Sequence, residues 1–232
     1  PDGIRATENY LATLAYSPAL ILDEGKDYSY TLPLFMAGQG YATIITPAGA
    51  KLFSQETSAV KNKFVVAPLP GVMVKGALRR YSTLIYGNNL VIPSNSRQKA
   101  LAFLFAMWLT DPDVSARSVG IPGGFADAYR YHHLRDERIR QVYTAQALDV
   151  VRGELAIVIP SGTGLPGNSE YLNALNSNLW LALQGRQSAR EAMQKTASAW
   201  NAITQRYGQA QQVRHWTAFR RQFPGAPAPA KH

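Results

Sequence analysis

Residues 64–113 read FVVAPLPGVMVKGALRRYSTLIYGNNLVIPSNSRQKALAFLFAMWLTDPD, and this stretch decides the fold class. An apolar run, Phe64 to Ala67, passes into the turn residues Pro68-Leu69-Pro70-Gly71. A second extended segment, Tyr86 to Ile92, is interrupted by Gly87-Asn88-Asn89. Ser96 then stands where a helix cap belongs, ahead of Ala100 to Leu109, a run without a charge on any face. Asp111 caps the next helix with Pro112 at its first position, and Gly120 closes it. This order predicts an α/β domain with a small sheet of Tyr41–Thr46, Phe64–Ala67 and Tyr86–Ile92. It also predicts that the 100–109 helix is almost wholly buried, Phe103 and Phe105 included, because only burial makes so apolar a helix favourable.

Working outward, a helix is expected from a Thr7 cap to a break at Ser17-Pro18. Ser29 to Ala37 reads as a short helix ending at Gly38, and YATIIT (41–46) as a strand ending at Pro47. A short helix, Ala48 to Phe53, leads across a polar loop to Phe64. The second half turns helical. Arg135 to Val151 reads as one amphipathic helix with Ile139, Val142, Tyr143, Ala147 and Val150 on a stripe. Another starts at Asn168-Ser169, faces Leu172, Leu175, Leu179 and Leu183 inward, and stops at Gly185. Ser188-Ala189-Arg190-Glu191 is a capping box, opening a helix whose Met193, Trp200, Ile203 and Tyr207 belong to the core. PGAPAPAKH at the end is a Pro/Ala tail expected to be mobile.

The 232 residues, 46% hydrophobic and 17% charged, have a globular balance rather than a disordered one. No apolar run approaches the ~20 residues needed to span a bilayer, so no membrane span is expected. PDGIRATENY holds no basic stretch followed by an apolar one, so no leader is expected within it. The absence of cysteine fits an oxidising compartment but also a cytosolic one. The net charge of +9 is dispersed, with Arg79-Arg80, Arg135, Arg138 and Arg140, and then Arg206, Arg214, Arg220, Arg221 and Lys231. Nucleic-acid modules concentrate such charge on one element with interleaved aromatics, so nucleic acid is disfavoured.

Chemical motifs are sparse. Asp111 and Asp113 sit at a helix start, where capping explains them better than acid/base work. His132-His133 are adjacent, so their rings diverge, and no third ligand is spaced near them. Gly38-Gln39-Gly40 lacks the remainder of a dinucleotide fingerprint. Ser161-Gly162-Thr163-Gly164 follows a strand-like run, Ala156 to Ile159, and could cradle a phosphate, although a plain loop is the simpler reading. No catalytic residue, metal or cofactor is expected.

Five wordings occur in a fixed order: FMAGQGYAT (35–43), VAPLPG (66–71), YGNN (86–89), SRQKALAF (96–103) and the Tyr171 to Ala192 stretch. Together they resemble the second lobe of the extracellular solute-binding proteins of ABC importers, family 1, the sugar-binding type, over Leu32 to Ile203. Two departures stand out. Thr46-Pro47-Ala48 replaces the Gly-Pro-Trp whose indole stacks on a sugar, and Gly120-Ile121-Pro122 is one residue shorter than Gly-x-x-Pro. The resemblance implies a periplasmic-binding-protein type II-like C-terminal lobe over 1–222: a small mixed sheet flanked by helices, with a helical C-terminal part, and the tail at 223–232. It implies a small polar solute, a sugar or polyol, and an ABC permease as partners. A missing N-terminal lobe, on the same protein or a second chain, would complete the cleft. It also implies a periplasmic or extracellular location.

Ligands of open α/β lobes sit at the carboxyl ends of strands, which selects Thr46 and the turn Tyr86, Gly87, Asn88 and Asn89. The two asparagines can donate to and accept from hydroxyl groups, and they fit a bulge or turn equally well. Tyr81 and Tyr86 could be stacking platforms or core. Phe125, after Gly123-Gly124, could bring a ring to the cleft or belong to a flexible loop. Glu170 and Tyr171 stand at a helix start expected near the site, where Glu170 also complements the helix dipole. Arg79-Arg80 would matter for an anionic ligand and otherwise form a solvated hairpin tip. A non-transport α/β module, either a carbohydrate-processing enzyme domain or a basic partner-binding scaffold, is the alternative class, separated from the first by product formation.

Overall fold

A computed structural model describes residues 2–22, 28–74, 76–84, 89–160 and 162–222. In chain order the longer helices are α1 (Asp2–Ala12), α2 (Tyr28–Met36), α3 (Gly49–Phe53), α4 (Lys99–Leu109) and α5 (Pro112–Val119). They continue with α6 (Glu137–Val142), α7 (Ala145–Leu155), α8 (Asn168–Leu183), α9 (Ala189–Tyr207) and α10 (Gln209–Arg220). The strands are short: β1 (Val72–Val74), β2 (Ala77–Arg79), β3 (Ser82–Leu84) and β4 (Val158–Pro160). The architecture is thus mixed and mostly helical. Contacts divide the chain into two units, Pro1–Thr31 with Val158–His232, and Leu32–Ile157.

The helical unit is built on α9, against which α1, α8 and α10 pack. Its start follows the expected capping box: Ser188 Oγ accepts the Glu191 amide at 3.2 Å, and the Glu191 carboxylate accepts the Ser188 amide at 2.7 Å. Trp200 stands edge-on to Tyr171 at 5.7 Å, and its indole N–H donates to the Tyr171 carbonyl at 2.8 Å. Gly167 enters α8 with φ +81°, and a Cβ there would lie 2.5 Å from the Tyr207 ring, so only glycine fits. The first helix begins at Asp2 rather than at a Thr7 cap. Thr7 is buried inside it, its hydroxyl donating to the Gly3 carbonyl one turn back at 2.8 Å. The chain leaves the helical path at Ser17, as expected of Ser17-Pro18.

In the 32–157 unit, two clusters form the core. Ala50, Ala116, Val119, Leu134, Ile139, Tyr143, Ala147 and Leu148 join α3 to α5, α6 and α7. Leu32, Leu52 and Phe53 form the other, with Phe35 4.7 Å and Phe64 5.5 Å from the Phe53 ring. Here several expectations are corrected. Tyr41–Thr46 and Phe64–Ala67 are irregular, and 89–92 is likewise not a strand, whereas Tyr86 to Asn88 lie outside the described residues. The 41–46 segment packs Ile45 inward against the second cluster and leaves Ile44 exposed, an extended alternation that finds no neighbouring strand among the described residues. Val66 finds its partners in a side chain: its N–H donates to Gln146 Oε1 at 3.0 Å, and its carbonyl accepts from Gln146 Nε2. The antiparallel ribbon is β1 with β2, turning at Gly76, so Arg79 ends a strand rather than forming the tip.

The expected 135–151 helix is two. Tyr143 is extended and buried, and Thr144 caps α7 by accepting the Ala147 amide at 3.1 Å. Asp111 caps α5 as expected, accepting the Asp113 and Val114 amides. Ser96 does not cap α4; Gln98 holds that position, and Ser96 Oγ only accepts the Gln98 amide at 3.3 Å. The largest correction concerns α4 itself, which is not buried. Phe103 is 57% and Phe105 54% exposed, with Leu101, Leu104, Met107 and Trp108 similarly open. Only the stripe of Ala102, Ala106 and Leu109 is partly covered, and composition alone cannot supply a covering surface for the rest.

Candidate functional site

The region around Thr46 is organised by a lysine. Thr46 is half-buried, and its carbonyl accepts the Gly49 amide at 2.9 Å, turning the chain into α3. Lys51, on the buried side of that short helix, is 1% exposed. Its ammonium donates to the carbonyls of Val119 at 2.9 Å and Ala126 at 2.7 Å and lies 5.4 Å over the Tyr143 ring. Asp127 completes the network: its carboxylate accepts from the Ala48 amide and from the Tyr143 hydroxyl at 3.3 Å. Burial lowers the Lys51 pKa, an effect that Asp127 opposes, and burial raises that of Asp127 against the Ala48, Tyr143 and Lys51 contacts. Burial, then the Asp127 charge, pushes the Tyr143 hydroxyl up.

The consequence is geometric. Lys51 bonds the Ala126 carbonyl and Asp127 the Ala48 amide, so the start of α3 and residues 126–127 are tied together, and Phe125, next in that loop, projects a ring that is 58% exposed. Gly123 in the same loop has φ +69°, and a Cβ there would lie 1.7 Å from Gln55 Nε2. Thr46 and Phe125 thus each stand within two residues of a position held by this network. Asn89, in the same unit, is exposed in an irregular segment.

Glu170 and Tyr171 lie in the helical unit. The Glu170 carboxylate accepts from the Tyr207 hydroxyl at 2.8 Å and from Arg206, and these bonds lower its pKa, Tyr207 first. Tyr171 is 3% exposed, with its hydroxyl 2.8 Å from Thr204 Oγ1 and 3.3 Å from the Gln212 amide that donates to it. Both side chains are engaged within that unit.

Sequence reasoning passed over Lys51 and Asp127, and weighed His133 only as a metal ligand. The first two carried one signal, a single charge among apolar neighbours, in GAKLF and FADA. His133 is 0% exposed. Ser115 Oγ, which donates to the Pro112 carbonyl, is 3.1 Å from its Nε2, leaving buried Nδ1 without a partner. Its ring meets Tyr129 at 4.8 Å and His132 at 4.4 Å, both edge-on. Burial holds its pKa down at about 4. Among the described residues no group of three or more His, Cys, Asp or Glu is placed to hold a metal ion.

Also in the 32–157 unit is an open groove of about 610 Å³ between Pro68 and Arg80 on one side and the exposed side of α7 on the other. Among the described residues no helix is long and apolar enough to cross a membrane.

The family model described as bacterial extracellular solute-binding protein matches residues 7–116. The match supports at family level the resemblance read from the sequence, and that family's place is periplasmic or extracellular. It covers Thr46 and Tyr86 to Asn89, and stops short of Phe125, Glu170 and Tyr171. Comparison with curated proteins gave no match.

Proposed function

From the family match over residues 7–116, we propose that this chain captures a small polar solute for an ABC importer and hands it to the permease without chemical change. The match is the observation that carries the reading. The fold supports it by tying the Thr46 and Phe125 loops through one buried network, so that a hydroxyl and an exposed ring are held on a rigid base. Thr46, Asn89 and Phe125 are the solute-facing residues of this reading, with Tyr86, Gly87 and Asn88 beside them in sequence. Sugars and polyols are the first solute class: Phe125 offers a stacking face where the family's tryptophan is absent, and Asn89 and Thr46 match hydroxyls. A second wall, on a further lobe of the same protein or on a second chain, closes over the solute by hinge motion, and the chain alone binds weakly.

Saturation-transfer NMR reads such weak binding directly. Glucose, maltose and sorbitol are offered to the chain at millimolar concentration. Transfer from the protein to sugar protons, reduced in Phe125→Ala, with the sugar recovered intact, is the expected result. A new sugar product, or no transfer to any of the three, overturns the reading.

A further inference from the structure

α10 presents three adjoining stripes along its length. Gln212 and Phe219, seven residues apart and so on one side of the helix, form the inward stripe. The Gln212 amide donates to the Pro166 carbonyl at 3.0 Å and to the Tyr171 hydroxyl at 3.3 Å. The Phe219 ring covers Gly164, where a Cβ would stand 2.0 Å from it. The next stripe holds the exposed Val213 and Trp216 and the half-buried Arg220. Beside it, Arg214 and Arg221 are exposed, again seven residues apart. The charge on this outer side has no internal answer. Arg206, two residues before Gly208, pairs with Glu170, whereas Arg214, Arg220 and Arg221 take part in no ion pair among the described residues. From Ala202 to His232 the sequence contains no aspartate or glutamate. Other helices meet their arginines with acids: Arg5 with Asp2, Arg117 with Asp113, Arg138 with Asp136 and Arg152 with Asp149. The three guanidiniums of α10 are thus complementary to anions supplied from outside.

We infer that α10 docks along its length on an anionic phospholipid surface, with lipid phosphates on Arg214, Arg220 and Arg221 and with Trp216 and Val213 in the headgroup layer. Guanidinium matches phosphate oxygens two at a time, and an indole settles at the boundary between headgroup and acyl chain. A nucleic acid or an acidic protein face would answer the arginines alone and leave Val213 in water. A phospholipid surface answers both stripes at once, taking the apolar pair to shallow depth while the arginine heads stay at the phosphates. The net charge of +9 draws the whole chain toward such a surface before contact.

Cosedimentation of the full chain with vesicles is the test. Vesicles of phosphatidylglycerol and phosphatidylcholine in equal parts are compared with vesicles of phosphatidylcholine alone. Binding is expected to the first and not to the second, and it weakens as salt rises, because exposed charges are screened. Arg214→Gln with Arg221→Gln is expected to weaken partition about 25-fold, about fivefold for each charge lost, with circular dichroism and melting temperature unchanged. Trp216→Ala is expected to weaken partition and to remove the blue shift of tryptophan emission that accompanies binding. Equal binding to phosphatidylcholine alone, or undiminished binding of the double variant, would put the contact on another face, the exposed α4 above all, and overturns the assignment. Absence of binding to the anionic vesicles overturns it as well, including the case in which the chain instead binds a DNA duplex or an acidic peptide.

Discussion

Lys51 Nζ lies 2.7 Å from the carbonyl oxygen of Ala126, although 75 residues separate the two in sequence. With its second bond, to Val119, this one cation holds both the end of α5 and the base of the Phe125 loop. Removing it would leave the Val119 and Ala126 carbonyls without the ammonium that meets them. Lys51→Met is therefore expected to cost about 2–6 kcal/mol, at about 1–3 kcal/mol for each buried acceptor left unmet. Urea denaturation checks it, and a loss below about 1 kcal/mol would remove the lysine from the fold's essential contacts.

His133 sets an acid limit. Its folded-state pKa is about 4 against an ordinary 6.5, so between those values the unfolded chain binds the proton and the folded chain does not. Stability from this group is whole above about pH 6.5 and is lost as pH falls toward about 4, for a total of the order of 3 kcal/mol. After burial, the neighbouring His132 and Arg130 charges push the same way, and Asp136 opposes them. Asp127, raised by burial, acts in the opposite sense, gaining stability on acidification. Melting temperatures of the native chain and His133→Gln, compared from pH 7 to 4.5, are expected to converge on acidification. Parallel curves would show that His133 titrates as an exposed residue.

Trp200→Ala removes the ring that braces Tyr171 together with its indole hydrogen bond. Because the ring is half-buried, the cost is expected near the low end of the aromatic-to-alanine range, about 3 kcal/mol. A near-neutral change in the denaturation midpoint would place the α8–α9 seam elsewhere.

Phe125→Ala tests the candidate solute face without touching the core. Loss of an exposed stacking ring is expected to weaken sugar binding by roughly two- to twelvefold, from about 0.5–1.5 kcal/mol, with the melting temperature unchanged. Asn88→Ala with Asn89→Ala is expected to weaken sugar binding roughly five- to a hundredfold. Full affinity in both variants would leave these segments as structure only.

What the sequence made legible was local. The Ser188 and Asp111 caps are written in short-range chemistry and stand where expected. The helix starting at Asn168 and the stop near Gly185 follow the same logic. Long-range partners were not legible. Nothing in YATIIT tells whether a neighbouring strand exists, and nothing in KALAFLFAMWL names what would cover it. Tyr143-Thr144 was hidden because the apolar stripe runs on across the break, while the Thr144 hydroxyl competes for the backbone. In the candidate site, Thr46 was selected as the end of an expected strand and Phe125 as the ring after Gly123-Gly124, yet Lys51 and Asp127, which bond between the two loops, show their meaning only once residues far apart in sequence are seen to meet.

The bonding of Val66 by the Gln146 amide has a dynamic consequence. In a sheet, a backbone segment is released only when a ladder of several bonds opens together, but here one exposed side chain supplies the donor and the acceptor. A single rotamer change frees the Val66 N–H to solvent, so its hydrogen exchange should follow a local route insensitive to denaturant, unlike amides in α7. Pro68 lies two residues along the same strap. One glutamine conformation is thus a hold on the edge of the groove, alongside the packing of Phe64 and Val66 on the core.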